Sequence, residues 1–188
     1  MDDFVTDIEN CLHVLHRGGI ILYPTDTVWG LGCDATNEDA VNRIYQIKKR
    51  DDSKALIVLV ASEREVLRYT AGVDLSLFDY LSEAPVPTTV IYENAIGFAQ
   101  NLVAEDGSIA IRICRDAFCK TLIRRLGRPL VSTSANISGI PTPTQFDQIS
   151  NEIKKAVDYR VLFRQNDKVH HQASSIIRWT NGVIEKIR

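Results

Sequence analysis

This chain of 188 residues is sparing with the features that most readily declare a function. It has four cysteines, Cys11, Cys33, Cys114 and Cys119, and none forms a Cys-x-x-Cys pair. A zinc ribbon or a thioredoxin-type dithiol is therefore not expected. Four reduced, mostly buried thiols in a cytosolic protein is the reading instead. Long apolar runs are absent: the longest, 55–61, is far too short to span a bilayer and reads as a buried strand. The opening Met1-Asp2-Asp3-Phe4 lacks the basic start and apolar stretch of a secretory signal, so a cytoplasmic location and no membrane partner are expected. Neither sign of charge dominates. The 22 Lys and Arg against 24 Asp and Glu give a net charge of -2. The protein as a whole is not a polyanion binder, although a local basic patch remains compatible with that balance. There is no internal repeat, low-complexity tract or linker-like stretch.

What is present is ordinary for a globular protein: 45% hydrophobic and 24% charged residues, in a length that suits one domain over 1–188. Ile8, Cys11, Leu12 and Leu15 recur at one-face helical spacing between about Thr6 and Arg17, and Gly18-Gly19 ends the pattern. A strand over 20–23 runs into a glycine-containing loop through Gly30-Leu31-Gly32. Thr36 with Asp39, and Ser62 with Glu65, have the spacing of capping boxes for two further helices. Asp74 can cap another. Strands are expected over 55–61, 88–91, 109–114, 130–131 and 161–163, and a helix over 117–126 closed by Gly127. The last segment reads as a hairpin, 174–179 and 183–187, turning at Asn181-Gly182. Alternating strands and helices argue for an α/β layer structure, and the hairpin for a mixed sheet.

Four segments carry more polar chemistry than their positions require. Pro24-Thr25-Asp26-Thr27-Val28-Trp29-Gly30-Leu31-Gly32 follows a strand end, where open α/β sheets place ligands. Alone, it is also an ordinary turn. Lys48, Arg50 and Lys54 cluster at a helix end, which suits either a phosphate clamp or a solvated terminus that offsets the helix dipole. Ser132-Thr133-Ser134-Ala135-Asn136-Ile137-Ser138-Gly139 is dense in hydroxyl and amide donors without the Gly-x-x-x-x-Gly-Lys pattern of a P-loop. On the fourth segment, Ile109, Ile111 and Ile113 alternate to one face and place Ser108, Ala110 and Arg112 on the other. That pattern alone makes Arg112 a solvent-facing cation; were its face to line a cleft, Arg112 would await an anion. His13 and His16 lie one helical turn apart without a His-Glu-x-x-His pattern and read as surface residues. His170-His171 lies in a polar loop. No Gly-x-Ser-x-Gly elbow is present, and no side-chain metal site is named.

In this order these segments resemble the YrdC-like family, which is marked by a Lys-x-Arg pair and a Ser-x-Asn pair: here Lys48 with Arg50, and Ser134 with Asn136. The stretches 18–32, 48–50, 109–112, 132–139 and 174–177 carry the likeness across nearly the whole chain. It implies a twisted, open, mixed sheet with flanking helices and a concave, positively charged cleft. It also implies the activity of a short, single-domain L-threonylcarbamoyladenylate synthase. The substrates would be L-threonine, bicarbonate and ATP with Mg2+, and the products threonylcarbamoyl-AMP and pyrophosphate. A separate transferase complex would pass the threonylcarbamoyl group to tRNA. By position, Thr27 would contact threonine, Thr25 and Asp26 would shape that pocket, and Arg112 would meet the threonine carboxylate or the carbamate. Ser174 would border the amino acid. Lys48, Arg50 and Ser134, with Asn136 beside them, would hold the ATP phosphates, and Lys54, Ser108, Thr142 and Arg188 match nucleotide-contacting positions. The sequence departs from the family at Asp51, at Ala84-Pro85-Val86-Pro87 in place of Trp-Pro-Gly-Pro, and at Cys114 in place of a proline.

The implied chemistry needs no side-chain nucleophile. A carbamate formed from threonine and bicarbonate survives only where water is excluded, and its attack on the α-phosphorus needs positioning and charge neutralisation. The competing reading is a protein that binds double-stranded RNA on a concave basic face by counterion release. Carbamoyl-adenylate formation, as in the related domain of hydrogenase-maturation carbamoyltransferases, normally comes with zinc-finger and acylphosphatase domains.

Overall fold

The computed structural model describes residues 4–50, 56–168, 173–180 and 182–188. Helix α1 (Val5–His16) forms as its apolar spacing requires, burying Ile8, Cys11, Leu12 and Leu15. Gly18, at φ +73°, reverses the chain into β1 (Ile21–Tyr23). The glycine-rich segment that follows is not wholly a loop, because Gly30–Gly32 forms a second strand, β2, antiparallel to β1. Glycine is required there by contact: a Cβ on Gly32 would lie 2.6 Å from the ring of Tyr23 and 3.0 Å from the carbonyl of Val131. Helix α2 (Glu38–Lys48) is capped by Asn37, whose side chain accepts from the amide of Ala40, and not by Thr36. Thr36 instead directs both its amide and its hydroxyl to the Asp34 carboxylate. The next strand is β3 (Ile57–Val60). At helix α3 (Glu63–Tyr69) the cap half of the expected box forms, Ser62 accepting from the amide of Glu65, while the Glu65 carboxylate reaches one residue further back to the amide of Ala61.

Helix α4 (Ser76–Glu83) starts behind Asp74, which accepts from the Ser76 amide and hydroxyl. Strands β4 (Thr88–Tyr92) and β5 (Ile109–Ile113) then flank each other, and α5 (Ala117–Leu126) ends at Gly127 in the left-handed conformation. Strand β6 (Leu130–Ser134) is longer than its apolar pair suggests. Helix α6 (Asn151–Ala156) and the two-residue β7 (Tyr159–Arg160) follow. The stretch 161–163 is not a strand: the amides of Leu162 and Phe163 donate to the buried Asp7 carboxylate at 3.0 and 2.8 Å instead of to a neighbouring strand. The hairpin is β8 (Ser175–Thr180) and β9 (Val183–Lys186), with Asn181 outside the described residues.

The strands form one nine-stranded sheet in the order β7-β1-β2-β6-β3-β5-β4-β8-β9. Pairs β1–β7, β3–β5 and β4–β8 are parallel and the rest antiparallel, so the sheet is mixed. Strand β6 is paired on both edges at its start and on one at its end. Leu130 to Ser132 pair with β3, while Leu130 and Val131 also meet the 33–34 continuation of β2; Thr133 and Ser134 pair with β2 alone. The two halves of the sheet therefore diverge at the C-terminal end of β6. Apolar residues of α1, α2, α3 and α5 pack with the inner strands in a single core. Among the described residues, no helix is long and apolar enough to cross a membrane.

Gly32→Ala tests the close packing of β2. Tyr23 is wholly buried and has nowhere to move. We expect a loss of about 1–3 kcal/mol in urea denaturation; an unchanged midpoint would show that the strand can shift.

Candidate active site

Where β6 runs past the end of its pairing with β3 the sheet opens into a cleft of about 280 Å3. Its apolar floor is the alternate-residue face of the strands: Ile57, Ala110, Ile91 and Ile176. Its polar wall comes from Thr27 on the β1–β2 connection and from Ser132, Thr133 and Ser134 on β6. Arg50, Arg112 and Arg188 supply positive charge.

Arg112 stands at the centre. The strand period places it on the cleft face with Ala110, and this face is covered, so Arg112 is only 3% exposed. The solvent-facing reading of the strand pattern is thus corrected: the 24–28 segment folds over that face. Nη1 of Arg112 donates to Thr27 Oγ1 at 3.0 Å, and Nη2 pairs with Asp26 Oδ1 at 3.1 Å. Its Nε is buried and has no hydrogen-bond partner among the described residues. A buried donor left over from a paired guanidinium is a position where an anionic ligand gains most. The loop's hydroxyls are committed in sequence. Thr25 Oγ1 donates to the Val28 carbonyl at 2.8 Å and accepts from the Thr27 amide at 3.0 Å. Its single proton being spent, the 2.9 Å contact between Thr25 and Thr27 Oγ1 is donated by Thr27. Thr27 in turn accepts from Arg112. Thr25 thus acts from behind the cleft, holding Thr27.

The Lys-x-Arg pair separates into two tasks. Lys48, in the last turn of α2, is 1% exposed, and Nζ donates to the carbonyls of Ser134 at 2.6 Å and Asn136 at 2.8 Å. Asn136 Oδ1 lies at 3.4 Å. The Lys48 carbonyl also accepts from the Ser138 amide. Lys48 therefore binds the Ser-x-Asn turn, and its ammonium does not line the cleft. Burial, with a smaller contribution from the Arg50 charge, pulls its pKa down to about 8. Lys49 ends the helix at φ +49°, which turns Arg50 away into the cleft wall. Burial lowers the pKa of Arg50. Asn136 is also spent on its own turn: its side-chain amide donates to the Ile140 carbonyl. Ser134 is the member of the pair that lines the cleft.

The remaining expected residues divide. Ser174, Thr142 and Arg188 line the cleft, and Arg188 Nη2 donates to the Ser174 carbonyl at 3.1 Å. Ser108 does not line it: its hydroxyl and amide face Asp106 at the start of β5, and these bonds hold the Asp106 carboxyl below its usual range. Lys54, Asp51 and His170-His171 lie outside the described residues. Ser132 and Thr133, expected in a polar donor loop, contribute instead from strand β6. One feature escapes the sequence reading. Thr89, wholly buried, bonds the Ser174 hydroxyl at 2.8 Å. The alternation of Thr89 and Ile91 along β4 was the available signal.

Lys48→Met removes the donor shared by three part-buried oxygens, leaving the Ser134 carbonyl with the Asn136 amide and the Asn136 carbonyl without the ammonium; a loss of about 1–3 kcal/mol is expected at pH 7.5. The pH dependence has a defined sign. The folded-state pKa near 8 lies below the ordinary 10.5, so between those values the unfolded chain binds the extra proton. Stability contributed by this group therefore rises with pH across that window and is flat below it. Urea titrations of both proteins at pH 7.5, 9 and 10.5 should show the wild type gaining on the variant. A constant difference would show that Lys48 does not titrate there.

Residues 13–188 match the Sua5/YciO/YrdC family model, described as telomere recombination. The threonylcarbamoyl-AMP synthase of Coxiella burnetii is 34% identical over 142 residues, covering 75% of this chain and 76% of that protein. The crystal structure of E. coli YciO superimposes with a TM-score of 0.83 at 22% identity, over 97% of this chain and 88% of that one. P. abyssi Sua5 complexed with L-threonine gives 0.85 at 22% identity; the match covers 97% of this chain but only 54% of the archaeal protein. These structures share the twisted mixed sheet and its flanking helices. With the family pattern running from residue 13 to residue 188, the chain belongs to the Sua5/YciO/YrdC family.

Proposed function

We propose that the chain is a threonylcarbamoyl-AMP synthase: from L-threonine, bicarbonate and ATP it makes threonylcarbamoyl-AMP and pyrophosphate, with residues 1–188 acting as one catalytic domain. The observation that carries this reading is the buried Arg112, fixed by Asp26 and Thr27, lining with Arg50 and Arg188 a cleft whose wall is hydroxyls. The activity is the one named for the curated relatives at about a third identity.

The chemistry follows from the cleft. The threonine amine takes up bicarbonate, losing water, to give a carbamate whose carboxylate carries the negative charge. Arg112 offers its guanidinium charge to that carboxylate, or to the carboxylate of threonine itself. The carbamate oxygen then bonds to the α-phosphorus as the bond to the bridging oxygen breaks and pyrophosphate leaves with the electron pair. Arg50 and Ser134 stand where the phosphates would be held, with Thr142 and Arg188 on the same wall. Lys48 and Asn136 act one layer back, by fixing the turn that presents Ser134. The floor of Ile57, Ala110 and Ile91 offers an apolar face to the adenine. Ser108 and Lys54 remain candidates for the nucleotide's outer contacts.

Among the described residues no group of three His, Cys, Asp or Glu side chains is placed to hold a metal ion. The cleft's hydroxyls and guanidinia suit phosphate, so Mg2+ fits this site as a passenger on the triphosphate, where it would neutralise charge on the departing pyrophosphate. The product is an activated acyl phosphate, consumed by a separate transferase acting on tRNA in the cytoplasm.

Pyrophosphate release should require L-threonine, bicarbonate and ATP together. Arg112→Lys keeps a charge but loses the fork, and should lower kcat/KM for threonine by roughly a hundredfold with the thermal midpoint monitored for folding. A well-folded wild type without threonine-dependent release would remove the assignment and bring RNA binding forward.

A further inference from the structure

The end of the sheet opposite the β8–β9 hairpin is left open, because β7 is its terminal strand. The Tyr159 and Val161 amides donate to the carbonyls of Ile20 and Leu22 at 3.3 and 2.9 Å. In a parallel ladder the residue between two such donors turns its own amide and carbonyl the other way. Arg160 therefore presents one donor and one acceptor to the open edge. Beside this edge, α6 and the chain after β7 enclose a hollow of about 630 Å3. Leu162 lines it and is 69% exposed, although its backbone is fixed by the bond from its amide to Asp7. An apolar side chain held out in water by a fixed backbone gains by being covered. The uncommitted charge of the hollow is all positive. Lys154, Lys155 and Arg160 line it, and none of the three has an ion-pair partner among the described residues. Asp158 lines it too, but its carboxylate is spent on Arg43 at 2.9 Å and on the Ile20 amide at 2.7 Å. The Phe146 ring is likewise engaged, with Lys154 Nζ 4.6 Å from its centroid and the Trp29 ring at 4.8 Å.

We propose that this hollow and the edge of β7 are a docking surface for an extended, acidic segment of a partner protein, which adds a strand beside β7. The backbone of the segment pairs with the Arg160 amide and carbonyl, an apolar side chain covers Leu162, and carboxylates before and after it meet Lys154, Lys155 and Arg160. A nucleic acid would use the cations and leave the rest unanswered. It has no peptide backbone to complete the edge, and the Phe146 ring is already engaged where a base would have to stack. The surface is continuous with the cleft through Phe146 and Trp29, since Trp29 directly follows Thr27 and Val28 of the cleft wall. Docking here stands apart from the synthase reading and is measured by binding, not by turnover.

The probe is a fluorescein-labelled peptide, Glu-Asp-Val-Glu-Leu-Asp-Val-Asp-Glu, titrated by fluorescence anisotropy. The proteins are the wild type, the double variant Lys155→Glu/Arg160→Glu, Leu162→Ser and, as a control outside the hollow, Arg124→Glu, each with its thermal midpoint measured to establish folding. Binding to the wild type should saturate. It should weaken roughly tenfold or more in the double charge reversal, severalfold in Leu162→Ser, and not at all in Arg124→Glu. The same peptide with prolines at its centre cannot complete the strand edge and should bind roughly tenfold more weakly. Hydrogen exchange at the Arg160 amide should slow when the peptide is bound. The proposal is overturned by a wild type that shows no saturable binding, by equal binding to the folded double reversal, or by an Arg160 amide that exchanges as fast with the peptide as without it. An RNA hairpin that binds in place of the peptide, and is lost in the same reversal, would assign these cations to nucleic acid and overturns it as well.

Discussion

A guanidinium in the middle of a sheet organises this molecule. Arg112 sits on β5, between β3 and β4, where a charge without partners would cost several kcal/mol. Its partners, Asp26 and Thr27, come from the other half of the sheet, on the connection between β1 and β2. The bond therefore spans the divergence that β6 creates. It ties the loop over β5, converts a half-exposed strand face into the wall of a cleft, and sets the Thr25–Thr27 hydroxyl chain in one direction. Removing Asp26 or Thr27 would leave a buried cation underpaired; removing Arg112 would leave Asp26 facing Cys114 Sγ at 3.7 Å as its remaining side-chain partner. The stability of the sheet's two halves and the readiness of the site are in this sense one property.

The Lys-x-Arg pair shows how sequence spacing becomes function through backbone conformation. Lys48 completes the last turn of α2 and points inward, where carbonyls of the 134–136 turn surround its ammonium. Lys49 takes a left-handed conformation, and its own amine pairs with Glu152 at 2.8 Å on the surface. One residue later Arg50 emerges on the cleft. Two like charges so close would repel if both faced a phosphate-sized space, and burial has already reduced the appetite of Lys48 for its proton. Placing the lysine behind the turn and the arginine in front of it uses one charge to shape the loop and the other to meet the ligand.

Much of this was legible in the sequence, and the failures have physical causes. Helix α1, helix α5 and the terminal hairpin follow from apolar period and turn residues, because local forces dominate there. Strand β2 was hidden because Gly30-Leu31-Gly32 carries no strand propensity; tertiary contact with Tyr23 and Val131 makes glycine necessary and strand pairing follows. The stretch 161–163 was misassigned because a buried carboxylate, Asp7, draws off two of its amides across the fold. The polar residues of the cleft were recognised, but not their layering. Lys48, Thr25 and Asn136 act through neighbours, and nothing in their spacing distinguishes a ligand contact from the residue that holds it. Ser108 shares a strand face with Arg112 yet faces its own aspartate. Thr89 was missed for the opposite reason: on a β-branched strand, a threonine bonded to the Ser174 hydroxyl looks like one chosen for propensity.

Two departures from the family pattern, at Cys114 and at 84–87, fall where this architecture tolerates them. Cys114 stands in place of the usual proline directly after β5, and its amide donates to the Val60 carbonyl at 2.9 Å, a bond proline cannot make. The substitution thus extends the β3–β5 ladder by one rung just past Arg112, and brings a weak S–H donor toward Asp26. Val86, in the segment where relatives carry Trp-Pro-Gly-Pro, is 48% exposed and contributes a carbonyl that fixes Thr88. A backbone acceptor is indifferent to its own side chain, so the exchange leaves the β4–β8 hydroxyl pairs intact. Both changes alter packing around the cleft while every donor aimed into it comes from residues the family pattern retains. Selection on a reaction that needs positioned charge and excluded water would act on those donors first, and leave the surrounding backbone free to find new ways of holding them.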